Sequence, residues 1–149
     1  MMTAASLFRY GVVFLAMSLG VAVLVSFLNT RVDTALGSSA QIMVPAMIAA
    51  LIEGSWFARA RKRKPNRREA WNFAWAATAV AVVLNIGLAY GAGDVTPEFA
   101  KLAIAPPGSK QFLILLGLYA GGYLICNRFF LGLGAGNQVT LMRGRGEIE

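Results

Sequence analysis

Apolar residues occur in four long runs along the chain, and shorter polar segments separate these runs. The runs cover residues 10–28, 40–58, 70–90 and 111–133. An α-helix rises about 1.5 Å per residue, so about 20 apolar residues cross the roughly 30 Å hydrocarbon core of a bilayer. We therefore predict an all-α membrane protein in which four transmembrane helices form a bundle.

The same pattern predicts one transmembrane domain over residues 1–137 and a flexible cytoplasmic tail over residues 138–149. The first run is preceded by Arg9, as the apolar core of a secretory signal would be. Signal cores are usually about 7–15 residues long, and no small-x-small cleavage site follows this run before Asn29. We therefore expect the first run to be a retained span.

The distribution of lysine and arginine predicts the orientation. The loop between the second and third runs carries seven basic residues, Arg59, Arg61, Lys62, Arg63, Lys64, Arg67 and Arg68. In the other two loops, basic and acidic residues balance: Arg31 with Asp33, and Lys101 and Lys110 with Asp94 and Glu98. Basic loops stay on the cytoplasmic side. We therefore expect the central loop and both termini in the cytoplasm.

Composition excludes most catalytic chemistry. Of the 149 residues only 14% are charged, none is histidine, and Cys126 is the single cysteine. The chain thus lacks the commonest metal ligand, the commonest general base and an internal disulfide. We predict no enzymatic activity, catalytic residue, metal or cofactor.

The formal net charge is +7, which in a soluble protein would indicate nucleic acid. Eleven of the fourteen basic residues, however, fall in the segments expected at the cytoplasmic face. The phosphates nearest to them belong to lipid headgroups. We therefore expect membrane lipids, including anionic ones, as partners, together with other transmembrane proteins or further copies of this chain, and no nucleic acid.

Glu53 is an acidic residue inside an apolar run, six residues before Arg59. In the fourth run, Arg128 lies at a similar expected depth and is the predicted partner, with Arg9 as a further option. Asn127 and Asn72 lie at similar depth, so we predict a small polar cluster within the membrane. One interpretation makes Glu53 a proton or cation site, and the other makes it half of a helix-registering ion pair. The shallow depth and the lack of a second carboxylate in any run favour the structural role.

Small residues recur at four-residue spacing, which lets helix backbones approach closely. Examples are Gly87 with Gly91, Gly117 with Gly121, and the row Ala46, Ala50 and Gly54 beside Glu53. We predict helix packing at these positions. Spacing alone leaves open whether each row packs within the bundle or against another protein.

The stretch from Gln41 to Gly54, QIMVPAMIAALIEG, and the stretch from Asn127 to Asn137, NRFFLGLGAGN, resemble an uncharacterised family of small four-span proteobacterial proteins. The resemblance covers most of the chain. It implies a multi-pass protein of the bacterial inner (plasma) membrane and carries no activity with it.

Small multidrug resistance transporters also have four spans and one membrane carboxylate, but their essential glutamate lies in the first helix. Here the first run has no charge, and Glu53 lies in the second. The main functional hypothesis is therefore an accessory, assembly or stabilising subunit of a larger membrane complex. The alternatives are a proton-coupled transporter that uses Glu53 and an anionic-lipid-binding protein that uses the basic loop.

Overall fold

The structure, a computed structural model, describes residues 4–31, 40–93, 99–100 and 102–148, without the side chains of residues 40–42. The described residues form four α-helices and contain no strand. The helices are α1 (Ala4–Asn29), α2 (Ala40–Arg61), α3 (Arg67–Gly91) and α4 (Lys110–Gly144). The predicted all-α class is confirmed. The loop charges Asp33, Asp94, Glu98 and Lys101 lie outside the described residues.

The helices α2 and α3 are joined by residues 62–66, which include Pro65 and the N-cap residue Asn66. The Asn66 side chain accepts a hydrogen bond of 2.8 Å from the backbone N–H of Glu69. The Glu69 carboxylate in turn accepts one of 2.8 Å from the backbone N–H of Asn66. This reciprocal capping box satisfies two backbone donors at the start of α3, so the helix begins three residues before its apolar run.

The fourth helix differs from the prediction at its end. The sequence predicts a span to about residue 133 and a flexible tail from residue 138, whereas α4 continues to Gly144. Ala135, Gln138, Val139 and Met142 are buried, and their spacing places them on one helix face. Three of them pack with Ala58 of α2. This tertiary contact stabilises a glycine-containing helix that its local sequence does not favour.

The helix order around the bundle is α1, α2, α4 and α3, because α1 and α4 each pack against both α2 and α3. Helices α1 and α3 run in one direction, and α2 and α4 run in the other. The turn at residues 62–66, the start of α1 and the end of α4 therefore lie together. We call this end, with the seven basic residues of the loop, the basic end.

Large apolar side chains cover the outside of the bundle, and small or polar ones fill much of the inside. Ile125 is 71% exposed and Val23 is 70% exposed, whereas Ala46, Ala50, Ala74 and Ala77 are fully buried. This distribution is typical of helices that face lipid. Three helices, α1, α3 and α4, are long and apolar enough to cross a membrane. The fold is thus consistent with a multi-pass membrane protein.

Two glycines bring the backbones of α2 and α4 into contact. A Cβ atom at Gly54 would overlap the carbonyl oxygen of Leu131, and one at Gly134 would overlap that of Leu51. Ser55 joins the same helices, since its hydroxyl donates to the carbonyl oxygens of both Leu51 and Gly134. The predicted row ending at Gly54 therefore packs within the chain.

The change Gly54→Ala is expected to lower the free energy of unfolding by about 1–3 kcal/mol, because the added methyl group forces α2 away from α4. The measurement is denaturant-induced unfolding in detergent, followed by circular dichroism. The matched control is Gly20→Ala, because Gly20 is exposed and a Cβ there meets no atom within 4 Å. Equal stability of the two variants would contradict the close α2–α4 contact.

Candidate functional site: polar groups along the bundle axis

Glu53 is the most deeply buried charged residue among those described, with 2% of its surface exposed. Its direction follows from the packing of α2. Gly54 faces α4, and a residue one position earlier is rotated by about 100° around a helix. Glu53 therefore faces α1 rather than α4.

Two residues of α1 satisfy the Glu53 carboxylate. Arg9 donates from Nε to Oε1 and from Nη2 to Oε2, the second bond being 2.7 Å long. Ser6 donates its hydroxyl to Oε2, also at 2.7 Å. The Arg9 side chain is 40% exposed, and its guanidinium lies 4.9 Å from the ring centre of Trp56. The carboxylate thus accepts three hydrogen bonds inside an apolar bundle. Two come from the charged guanidinium of Arg9 and one comes from the hydroxyl of Ser6.

The predicted Glu53–Arg128 pair is wrong, because the described ion pair of Glu53 is with Arg9, the further option. Asn127 points to the bundle centre, so Arg128, the next residue, is rotated away from it toward α3. Its guanidinium lies 5.7 Å from the ring centre of Trp71.

Glu53 with Arg9 and Ser6 forms a first polar layer, and a second layer begins at Tyr10, the next residue of α1 after Arg9. Tyr10 donates its hydroxyl to Oδ1 of Asn127 at 2.8 Å, and Nδ2 of Asn127 donates to the Thr78 hydroxyl at 3.3 Å. These two bonds join α1, α4 and α3 at the centre of the bundle. Asn127 has no exposed surface, so its amide needs partners inside the protein.

A third polar contact lies further from the basic end. Nδ2 of Asn85 donates to the Tyr123 hydroxyl at 2.9 Å, which joins α3 to α4. Asparagine side chains commonly form such bonds between membrane helices. Tyr123 itself packs edge-on against Phe14 of α1, with ring centres 5.8 Å apart. Three polar contacts therefore follow one another along the bundle axis.

The four residues predicted to form one polar cluster are separated in the structure. Glu53 binds α1, Asn127 lies at the centre, and Arg128 contacts Trp71. Asn72 lines a groove of about 510 Å³ at the basic end, together with Leu7, Asn66, Arg68, Glu69, Phe73 and Ala76. The four side chains point in different directions around their helices, so they do not form one cluster.

The seven basic residues of the loop are all exposed. Arg63 forms an ion pair with Glu69 at 2.8 Å, and these hydrogen bonds raise the pKa of the Arg63 guanidinium. Lys62 donates to the carbonyl oxygen of Glu147 at 3.4 Å, beyond the end of α4. The described part of the chain places no other carboxylate in an ion pair with the seven.

The remaining glycine rows face outward. A Cβ atom at Gly87, Gly91, Gly117 or Gly121 would meet no atom of the described residues within 4 Å. Asn85 binds Tyr123, and Tyr90 packs against Phe112, so the two rows lie at a similar level. They occupy the half of the bundle away from the basic end and take no part in packing between the described residues.

Sequence analysis named Arg9 as a further option but missed Ser6 and Tyr10, because the first run was treated as uniformly apolar. Ser6, Tyr10, Phe14 and Ser18 recur every four residues and are all buried. This spacing places them on one helix face. A polar and aromatic face on the first helix is the signal that would have indicated the partners of Glu53 and Asn127.

No family model matches the chain, and no curated protein or solved structure is significantly similar to it. The resemblance to a four-span proteobacterial family therefore stays a prediction.

Removing Arg9 is expected to destabilise the fold more than removing Glu53. In Arg9→Gln a buried carboxylate loses its partner, whereas in Glu53→Gln the half-exposed Arg9 keeps its contact with Trp56. We expect a loss of about 2–3 kcal/mol for Arg9→Gln, below the range for fully buried pairs because Arg9 reaches the surface. Denaturant unfolding in detergent measures both variants.

The double variant Arg9→Gln/Glu53→Gln should recover part of this loss. A second cycle, built from Arg128→Gln and Glu53→Gln, serves as the control. Its coupling energy should lie within about 0.5 kcal/mol of zero, because these residues share no contact. Strong coupling in the control cycle, or none between Arg9 and Glu53, would contradict the observed pairing.

Proposed function

We propose that the protein is a non-enzymatic, four-span membrane protein that serves as an accessory, assembly or stabilising subunit of a larger membrane complex. The observation that supports this proposal is the pair of outward-facing glycine rows on α3 and α4, which no other described residue covers. The row on α2 that ends at Gly54 faces inward, and there the small residue allows close backbone contact with α4.

The proposed topology adds α2 as the fourth span. This helix has 22 residues and is therefore about 33 Å long, enough to cross the hydrocarbon core. It runs alongside α4 from Met43, near Gly122, to Ala58, near Ala135. With the basic end in the cytoplasm, both termini also lie there. We propose the bacterial inner membrane as the location.

Recognition within the bilayer suits this shape. The described residues outside the four helices form short segments, so little surface is available for a soluble partner. In lipid, helices associate through close van der Waals packing rather than through a hydrophobic driving force. Each outward row has Gly–x–x–x–Gly spacing, and exposed apolar residues such as Leu113, Leu118 and Ile125 flank the row on α4. A transmembrane helix of a partner protein is the occupant that fits.

The hydrogen bonds of the Glu53 carboxylate give less support to the hypothesis that the protein is a transporter. Proton or cation exchange at Glu53 would require the carboxylate to leave Arg9 and Ser6, which together satisfy both of its oxygens. The same contacts explain the residue as a structural link between α1 and α2. The geometry therefore favours the subunit proposal over transport.

Replacing Gly117 and Gly121 together by leucine is expected to abolish co-purification of the partner, because the larger side chains keep the partner helix at a distance. The measurement is purification in mild detergent followed by mass analysis of co-migrating proteins. Thermal stability of the isolated chain should not change, since neither glycine contacts another described residue within 4 Å. The matched control is Gly20→Leu on α1, which should leave co-purification intact. A wild-type chain that purifies as a lone, monodisperse homo-oligomer would contradict the proposal.

A second candidate function is binding to anionic lipid surfaces. The exposure of all seven loop cations at one end supports it, because only Arg63 is neutralised by a described carboxylate. Each basic residue near an anionic surface contributes about 1 kcal/mol, and salt screens the attraction.

Neutralising Arg61, Lys62, Lys64 and Arg67 with glutamine should weaken docking to anionic vesicles at least about a hundredfold. The protein would be held in a zwitterionic nanodisc, and docking would be followed by flotation at several salt concentrations. Lys110→Gln at the opposite end is the control and should change docking little. Unchanged docking of the fourfold variant would rule out a lipid role for the loop.

A further inference from the structure

Arg128 is distinct among the three arginines that contact aromatic rings at the basic end of the bundle. Arg9 contacts Trp56 and pairs with Glu53, and Arg63 contacts Phe57 and pairs with Glu69. Arg128 contacts Trp71, but no described carboxylate lies within ion-pair distance of it.

The guanidinium of Arg128 also lacks a hydrogen-bond acceptor. Its Nε atom is buried and has no partner among the described residues. Buried polar groups in folded proteins nearly always have a partner, and a guanidinium has five N–H donors to satisfy. The two terminal nitrogens, Nη1 and Nη2, are not buried and also have no described acceptor, so the outer edge of this charged group is open to an anion.

The surroundings of Arg128 are apolar and face outward. Ile125 is 71% exposed, Phe129 is 61% exposed, and Trp75 on the neighbouring helix is 62% exposed. In the proposed topology this surface contacts lipid. The occupant that supplies an acceptor here must therefore approach from the membrane.

The position along the helices gives the depth. Trp71 lies five residues after the N-cap Asn66, which is about 7 Å of helix below the basic loop. Nη1 of Arg128 extends toward Gly132, one turn closer to the basic end. Arginine side chains bend in this way to bring their charge to the headgroup level. In the proposed topology the guanidinium thus lies where hydrocarbon meets lipid phosphate.

We infer that Arg128 and Trp71 form a binding site for the phosphate group of an anionic phospholipid in the leaflet at the basic end. The guanidinium donates to two phosphate oxygens from its outer edge, and the ring of Trp71 covers one of its faces. The acyl chains lie against the apolar surface around Ile125 and Phe129. This inference rests on the proposed membrane topology, but not on a partner complex or on the loop.

The test is native mass spectrometry of the detergent-solubilised chain titrated with dioleoylphosphatidylglycerol. We expect one tightly held lipid on the wild type and an affinity at least about tenfold lower for Arg128→Gln, the effect of losing one charge-assisted contact. Arg128→Lys keeps the charge without the planar donor pair and should lie between the two. Lys110→Gln removes one positive charge from the exposed start of α4, at the opposite end of the bundle, and should change the affinity less than threefold.

Two further arms test the site itself. Trp71→Leu keeps the arginine and should lower the lipid affinity about threefold. This variant also tests the site if circular dichroism shows that Arg128→Gln does not fold. Inorganic phosphate at millimolar concentration should not displace the lipid, because it lacks acyl chains. Equal lipid affinity of Arg128→Gln and wild type, or an equal loss in Lys110→Gln, would overturn the proposal. Displacement by inorganic phosphate would overturn the assignment to lipid. Loss of a co-purifying partner with retained lipid binding would separate this site from the subunit function.

Discussion

The carboxylate of Glu53 lies inside an apolar bundle and needs donors from the chain itself, because an unpaired charge is costly there. Arg9 and Ser6 provide them, and this sets the register of α1 against α2. With α1 so placed, Tyr10 reaches Asn127 on α4, and Asn127 reaches Thr78 on α3. One carboxylate and the amide of the next layer therefore connect all four helices.

The glycines of this chain act in two ways that depend on what lies opposite each of them. Gly54 and Gly134 allow the backbones of α2 and α4 to touch, which supports α4 well beyond its apolar run. Gly117 and Gly121 have the same kind of spacing but face outward. Packing in lipid depends on close approach rather than on apolar burial. Outward rows of this kind are therefore the surface through which we propose that the protein recognises a partner helix.

The arginines at the basic end connect the fold to the proposed functions. Arg9 fixes the register of α1 against α2 through Glu53. Arg63 pairs with Glu69, the residue that caps the start of α3. Arg128 has an aromatic ring but no described anion. A lipid phosphate would complete it in the same way as the two carboxylates complete the others. The structural and lipid-directed roles thus belong to different side chains.

The sequence by itself determined the helical class, the approximate helix positions and the basic character of one end, because these depend on runs of apolar and basic residues. It also indicated that Glu53 needs a partner. Only the tertiary structure decided that the partner is Arg9 rather than Arg128, since one residue of helix rotates a side chain by about 100°. The same holds for the end of α4, which continues past residue 138 because Ala58 of α2 packs against it. The packed bundle decides in which direction a side chain points around its helix and which neighbouring residue it contacts.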